Sequence, residues 1–149
     1  MVESTRSFVL VKGSDNLVQH LLSIGGREMF GDQIYHDPDC KLIFDSGRVF
    51  SATIKRLIPM DDHWCHWNIS SLYKQSLLTE IVIGYALNYH GQWFQHTWGM
   101  QEETLVETTE INYNNIRLYF GAILDDPCSF VEWCEQNLPG SGRVRRTYE

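Results

Sequence analysis

At 149 residues the chain is sized for one domain with a real core. Its 43% hydrophobic and 21% charged residues are ordinary for a globular protein. The net charge of -7 argues against a nucleic-acid surface spread over the molecule, and no stretch nears the roughly 20 apolar residues of a membrane span.

The N-terminal MVESTRSFVLVKGSD has no signal-peptide layout, and its FVLV run, Phe8 to Val11, reads as a short strand. Ser14 or Asp15 can cap a helix through Leu22 that Gly25-Gly26 stops. CKLIF, Cys40 to Phe44, and RVFSATI, Arg48 to Ile54, read as two strands of a hairpin around Asp45-Ser46-Gly47. Asp61 or Asp62 can cap the next helix, which runs to about Gln75 with Ile69, Leu72 and Tyr73 at helical spacing. Ile81 to Leu87 is strand-like, with Asn88 to Gly91 as its turn. Ile116 to Leu124 is another strand. Asp125-Asp126-Pro127 then opens a helix to about Leu138. The pattern predicts a single α+β domain over 1–140, with a largely antiparallel sheet and a helix carrying Cys65 laid against it. Residues 141–149 form a basic tail, predicted to be flexible.

The stretch Gly84 to Thr109 concentrates the chemistry. Tyr89, Trp93, Phe94 and Trp98 suit a pleated surface. Alternation puts Phe94, His96, Trp98 and Met100 on one face, and Leu105, Glu107 and Thr109 on one face of the return strand. A turn at Gln101-Glu102, or over Met100 to Glu103, sets His96 directly opposite Glu107, roughly 5 Å apart at Cβ.

Of the four cysteines, Cys40, Cys65, Cys128 and Cys134, none forms a CxxC pair. Free thiols in a cytoplasmic protein are expected. Cys65 falls at a predicted helix start, where unpaired amides and the helix dipole stabilise a thiolate. Cys128 and Cys134 lie within the last predicted helix and Cys40 opens a predicted strand. His96 is the base candidate, with His63, His66 and His90 as the other histidines of this region. His66 is expected to point away from Cys65 around the helix. Glu107 would fix the imidazole tautomer and stabilise its charged form.

HTWGMQEETLVETT resembles the transglutaminase-like pattern of a His-x-Trp strand followed by a strand bearing an acid and a threonine. DHWCHWN resembles the cysteine site of those papain-like folds. The resemblance spans roughly residues 60–110. It implies Cys65 as nucleophile, His96 as base and Glu107 as third member, where the family usually has Asp or Asn. No glutamine precedes the cysteine by a turn, so the Cys65 backbone N–H is the expected oxyanion donor. Asn68, one turn along the helix, would add a donor or orient substrate. Trp64 and Trp98 complete the expected substrate surface.

The reading is a cysteine hydrolase or acyltransferase acting on an amide or thioester of a protein or peptide, with no cofactor and no resident metal. Two rivals stand beside it. One is a non-catalytic binding or inhibitor module presenting its tryptophans. The other is a structural zinc protein using His63, Cys65, His66 and either His90 or His96.

Overall fold

The structure is a computed structural model describing residues 13–61 and 64–138. The expected strand at Phe8 to Val11 and the C-terminal tail lie outside the described residues, as do Asp62 and His63.

Five α-helices accompany one seven-stranded sheet among the described residues. The helices are α1 (Ser14–Ile24), α2 (Cys40–Ser46), α3 (Cys65–Lys74), α4 (Glu110–Asn115) and α5 (Pro127–Asn137). The strands are β1 (Glu28–Met29), β2 (Arg48–Ser51), β3 (Lys55–Leu57), β4 (Glu80–Asn88), β5 (Gln92–Gln101), β6 (Thr104–Glu107) and β7 (Ile116–Ile123). The order is β2-β7-β4-β5-β6-β3, with β1 added beside β5. The ladders are antiparallel except β1 with β5 and β3 with β6. The fold is therefore mixed α+β with a mostly antiparallel sheet, and no described helix is long and apolar enough to cross a membrane.

The sheet is buried on both faces, and β4 shows how. Ile81, Ile83, Tyr85 and Leu87 enter the core under the helices; Val82 and Ala86 enter a second core on the other face. A near-continuous apolar run is what a strand covered on both sides needs. At Gly84 only glycine fits, because a Cβ would lie 2.2 Å from the Phe120 carbonyl oxygen of β7. Over the first core lie Leu17 and Leu21 of α1, Ile69 and Leu72 of α3, and Phe130 of α5. Each of the α3 pair is almost fully buried, worth about 1.5–3 kcal/mol apiece. The α3 helix packs on β5 and α5.

Two expectations need correction. CKLIF is helix α2, not a strand. The Asp37-Pro38-Asp39 turn upstream is closed by the Asp39 amide donating to Asp37 Oδ1 at 2.8 Å. Cys40 and Ile43, three apart, supply the buried stripe of one short helix. The expected hairpin with residues 48–54 therefore does not form; β2 pairs with β7 instead, Arg48 facing Gly121.

The β5–β6 register also differs. Gln101 pairs with Thr104, Met100 with Leu105 and Gly99 with Val106, so the turn is Glu102-Glu103. Glu102 takes the left-handed conformation, φ 58, that a glycine would usually supply. Its amide donates to Thr79 Oγ1 at 2.9 Å. Relative to the expected register the offset is two residues, so every side chain keeps its face and His96 meets Glu107 on the diagonal.

Past Glu107 the chain leaves β5. Ile58 and Met60 amides hold the Glu107 and Thr108 carbonyls instead, at 2.9 and 2.7 Å. On this side β5 is paired at Gln92 and Trp93 with β1 and at Gly99 to Gln101 with β6. Residues 94–98 have no ladder partner there among the described residues. His96 sits in the middle of that gap.

Candidate active site

Cys65 is the first residue of α3, with Trp64 as N-cap. No side chain caps this end, so the unpaired first-turn amides are available to a charge. Asn68 fixes the approach to the helix. Its amide nitrogen donates to the Asp61 carbonyl at 2.7 Å and to Thr108 Oγ1 at 3.2 Å. It ties the chain before α3 to the chain after β6, across the gap.

His96 and Glu107 are buried on the second-core face. His96 Nε2 lies 2.8 Å from Glu107 Oε2 and 3.1 Å from Oε1. The Tyr119 hydroxyl of β7 donates to Oε2 at 2.7 Å. Two nearly parallel rings, His96 and Trp98, stack with centroids 5.9 Å apart. With Nε2 committed to Glu107, Nδ1 is the nitrogen of His96 left for another partner, and Cys65 is near enough for each group to influence the other's charge. Burial opposes a charge on His96, but Glu107 first and then Cys65 overcome it, and its pKa is raised to about 10. Burial likewise opposes a Cys65 thiolate. Hydrogen bonds and charge from His66 and His96 outweigh it and take the thiol well below its ordinary 9.0. Both shifts favour a Cys65 thiolate and a His96 imidazolium.

The other thiols contrast with Cys65. Cys40 too opens a helix, against expectation, yet it is fully buried and its sulfur donates to the Ile34 carbonyl at 3.0 Å. Burial, aided by Asp37 and Asp39, pushes it up to about 12. Burial also pushes Cys134 up to about 12. Cys128 is exposed, and all four cysteines are free.

Several expected residues take other roles. His66 does not point away: its Nδ1 is 3.7 Å from Cys65 Sγ and 2.9 Å from Thr97 Oγ1. Trp98 is fully buried in the second core, so it supports His96 from behind and offers no surface to a substrate. Asn68 is buried with its amide hydrogens used internally, which makes it a brace for the site. Trp64 is half-buried beside Cys65. His90 lies in the exposed Asn88–Gly91 turn, its amide on Asn88 Oδ1 at 2.9 Å. Among the described residues no group of three or more His, Cys, Asp or Glu side chains is arranged to hold a metal ion.

A small cleft is lined by Asp37, Asp39, His66, Gln95, His96 and Thr97; Cys65 is not part of its lining. Asp37 is buried there. Its Oδ2 accepts from the Tyr85 hydroxyl at 2.6 Å and from Gln95 Nε2 at 3.1 Å. Neither Tyr119 nor Asp37 carries a sequence signal, since both act through contacts distant in the chain. The cue for His66 was only its adjacency to Cys65.

Compared with known proteins, the chain matches no family model, no curated protein and no solved structure.

Proposed function

We propose that the protein is a cysteine-dependent hydrolase or acyltransferase acting on an amide or thioester, with a papain-like or transglutaminase-like catalytic set. One observation supports this reading: a helix-start thiol lies near an imidazole that is held through Nε2 by a buried carboxylate, itself held by Tyr119, and the thiol is shifted toward the thiolate. In the reaction the Cys65 thiolate attacks the carbonyl carbon and a first-turn backbone N–H receives the developing oxyanion. The carbon–leaving-group bond then breaks, and the leaving group takes its proton from the His96 imidazolium. Water or an amine resolves the Cys65 thioester. Glu107 keeps its charge throughout and stabilises the imidazolium. A protein or peptide is the proposed substrate, and peptidase, deamidase and transglutaminase-like outcomes share this acyl-enzyme step.

The test is turnover of peptide amides and thioesters by the full chain and by Cys65→Ser, with mass spectrometry for an acyl adduct. Loss of turnover and adduct in the variant is expected. Turnover that survives Cys65→Ser would overturn the assignment.

A specific observation also favours the non-catalytic reading: His96 is only 3% exposed, enclosed among aromatic rings. On that reading no acyl adduct forms with any carbonyl substrate.

A further inference from the structure

The imidazole in hydrogen-bonding contact with Cys65 is His66, and the acyl-enzyme cycle described above leaves it without a part. His96 is locked to Glu107 and faces the second core. His66 reaches the sulfur from the other face of β5. Its Nδ1 meets Thr97 Oγ1 at 2.9 Å and Cys65 Sγ at 3.7 Å. Its ring packs on Phe130 with centroids 5.5 Å apart, and its carbonyl accepts from Cys134 Sγ at 3.8 Å. Among the described residues no carboxylate forms an ion pair with it. Both residues border the same cleft.

We propose that His66 is the acceptor-side base: it takes the proton of the water or amine that resolves the Cys65 thioester, while His96 serves the leaving group. The proposal rests on the acyl-transfer reading. Division of labour follows from the partners. A histidine clamped by a carboxylate holds its proton tightly, which suits an acid. A histidine whose Nδ1 partners are a hydroxyl and the reacting sulfur can accept one.

Thr97 is built to allow the change, because a hydroxyl can donate to a free imidazole nitrogen and then turn to accept from it. The balance is as follows. Acylation moves the His96 proton to the leaving group and forms the sulfur–carbon bond. Water then adds its oxygen to the thioester carbon and gives one proton to His66. The sulfur–carbon bond breaks, the sulfur keeps the electron pair, and the carboxylic acid product leaves. His66 releases its proton to solvent and His96 takes one up from solvent, restoring the starting charges.

The experiment uses the full chain with p-nitrophenyl acetate in excess, followed by stopped flow, with intact-mass detection of acetyl-Cys65. His66→Gln should keep a stoichiometric burst and accumulate acetyl-enzyme while steady turnover falls on the order of 10²-fold. His66→Ala should behave alike, and added imidazole should restore its turnover. Thr97→Val should slow the same phase by less. A His66→Gln protein with an unchanged far-UV and near-UV spectrum whose burst and turnover fall together, or whose turnover is normal, overturns the assignment to His66 alone. A wild-type protein that forms no acetyl-Cys65 overturns the acyl-transfer reading and this inference with it.

Discussion

The Tyr119 hydroxyl and the His96 imidazole donate to the same oxygen of Glu107, at 2.7 and 2.8 Å, with none of the three more than 3% exposed. One carboxylate thus satisfies a ring from β5 and a ring from β7, and removing either ring leaves a buried charge short of a partner. His96→Ala should cost about 3–5 kcal/mol of stability, far more than loss of a surface histidine. The double variant His96→Ala with Glu107→Gln should recover part of it, because the stranded charge is gone. Urea denaturation of the three proteins is the check. A His96→Ala protein as stable as wild type would show that Glu107 is not buried with its charge.

Thiol reactivity reports the ion pair directly. At mildly acidic pH iodoacetamide should label Cys65 before Cys40 and Cys134, whose thiols are both held near 12 by burial. It should also outrun Cys128 despite that residue's exposure. Peptide mapping after brief labelling decides this, and equal rates at Cys65 and Cys128 would remove the case for an activated thiolate.

The pair also makes an unusual prediction for stability against pH. His96 is raised from its ordinary 6.5 to about 10 in the folded chain. Its contribution is therefore full below about 6.5 and is lost as pH rises through about 10. Cys65 is lowered from 9.0, so its contribution is present above about 9 and is lost as pH falls. Between about 6.5 and 9 the two slopes oppose each other, since folding moves no net proton across the pair. Wild type should show little slope from this site there. Cys65→Ala leaves Glu107, the largest influence raising His96, in place. It should unmask a loss of stability with rising pH, at most about 1.4 kcal/mol per unit. Melting curves at several pH values would show it; parallel profiles for the two proteins would contradict the ion pair.

Metal addition separates catalysis from a structural zinc site. A thiolate beside an imidazole is a ready pair of ligands, so added Zn²⁺ should block Cys65 alkylation. A strong chelator should leave both alkylation and the melting temperature of the purified protein unchanged. Stoichiometric zinc by elemental analysis, lost in Cys65→Ser together with stability, would favour the structural role.

The sequence made some of this legible for identifiable reasons. Helix α3 follows from apolar periodicity, which survives any tertiary context that buries the same stripe, and strand β4 from a short apolar run ended by the Asn88–Gly91 turn. The shared face of His96 and Glu107 was readable because it depends only on odd or even spacing. The register itself was not, because Glu102 does a glycine's work with help from Thr79, far earlier in the chain. CKLIF misled because its apolar run suits a strand as well as a helix; the preceding aspartate turn settled the outcome. His66 misled because helix angles alone put neighbours apart. At a helix start beside an open strand edge, a ring can turn toward a hydroxyl on β5 and remain near its neighbour's sulfur.

The stretch of β5 around His96 is clamped at both ends, by Glu28 and Met29 on one side of it and by Val106 to Thr104 on the other. Its length is consequently as fixed as its composition. Inserting or deleting one residue between Trp93 and Gly99 cannot be absorbed by slippage. It would turn Thr97 inward and His96 outward, parting each from His66 or Glu107 in one step. Added residues in the Asn88–Gly91 turn would disturb the Arg27 and Glu28 amide contacts to the Gly91 carbonyl but leave the parity of β5 intact. Scanning single-residue insertions along residues 88–104 should therefore give a sharply bounded intolerant window, inherited from where the neighbouring strands stop.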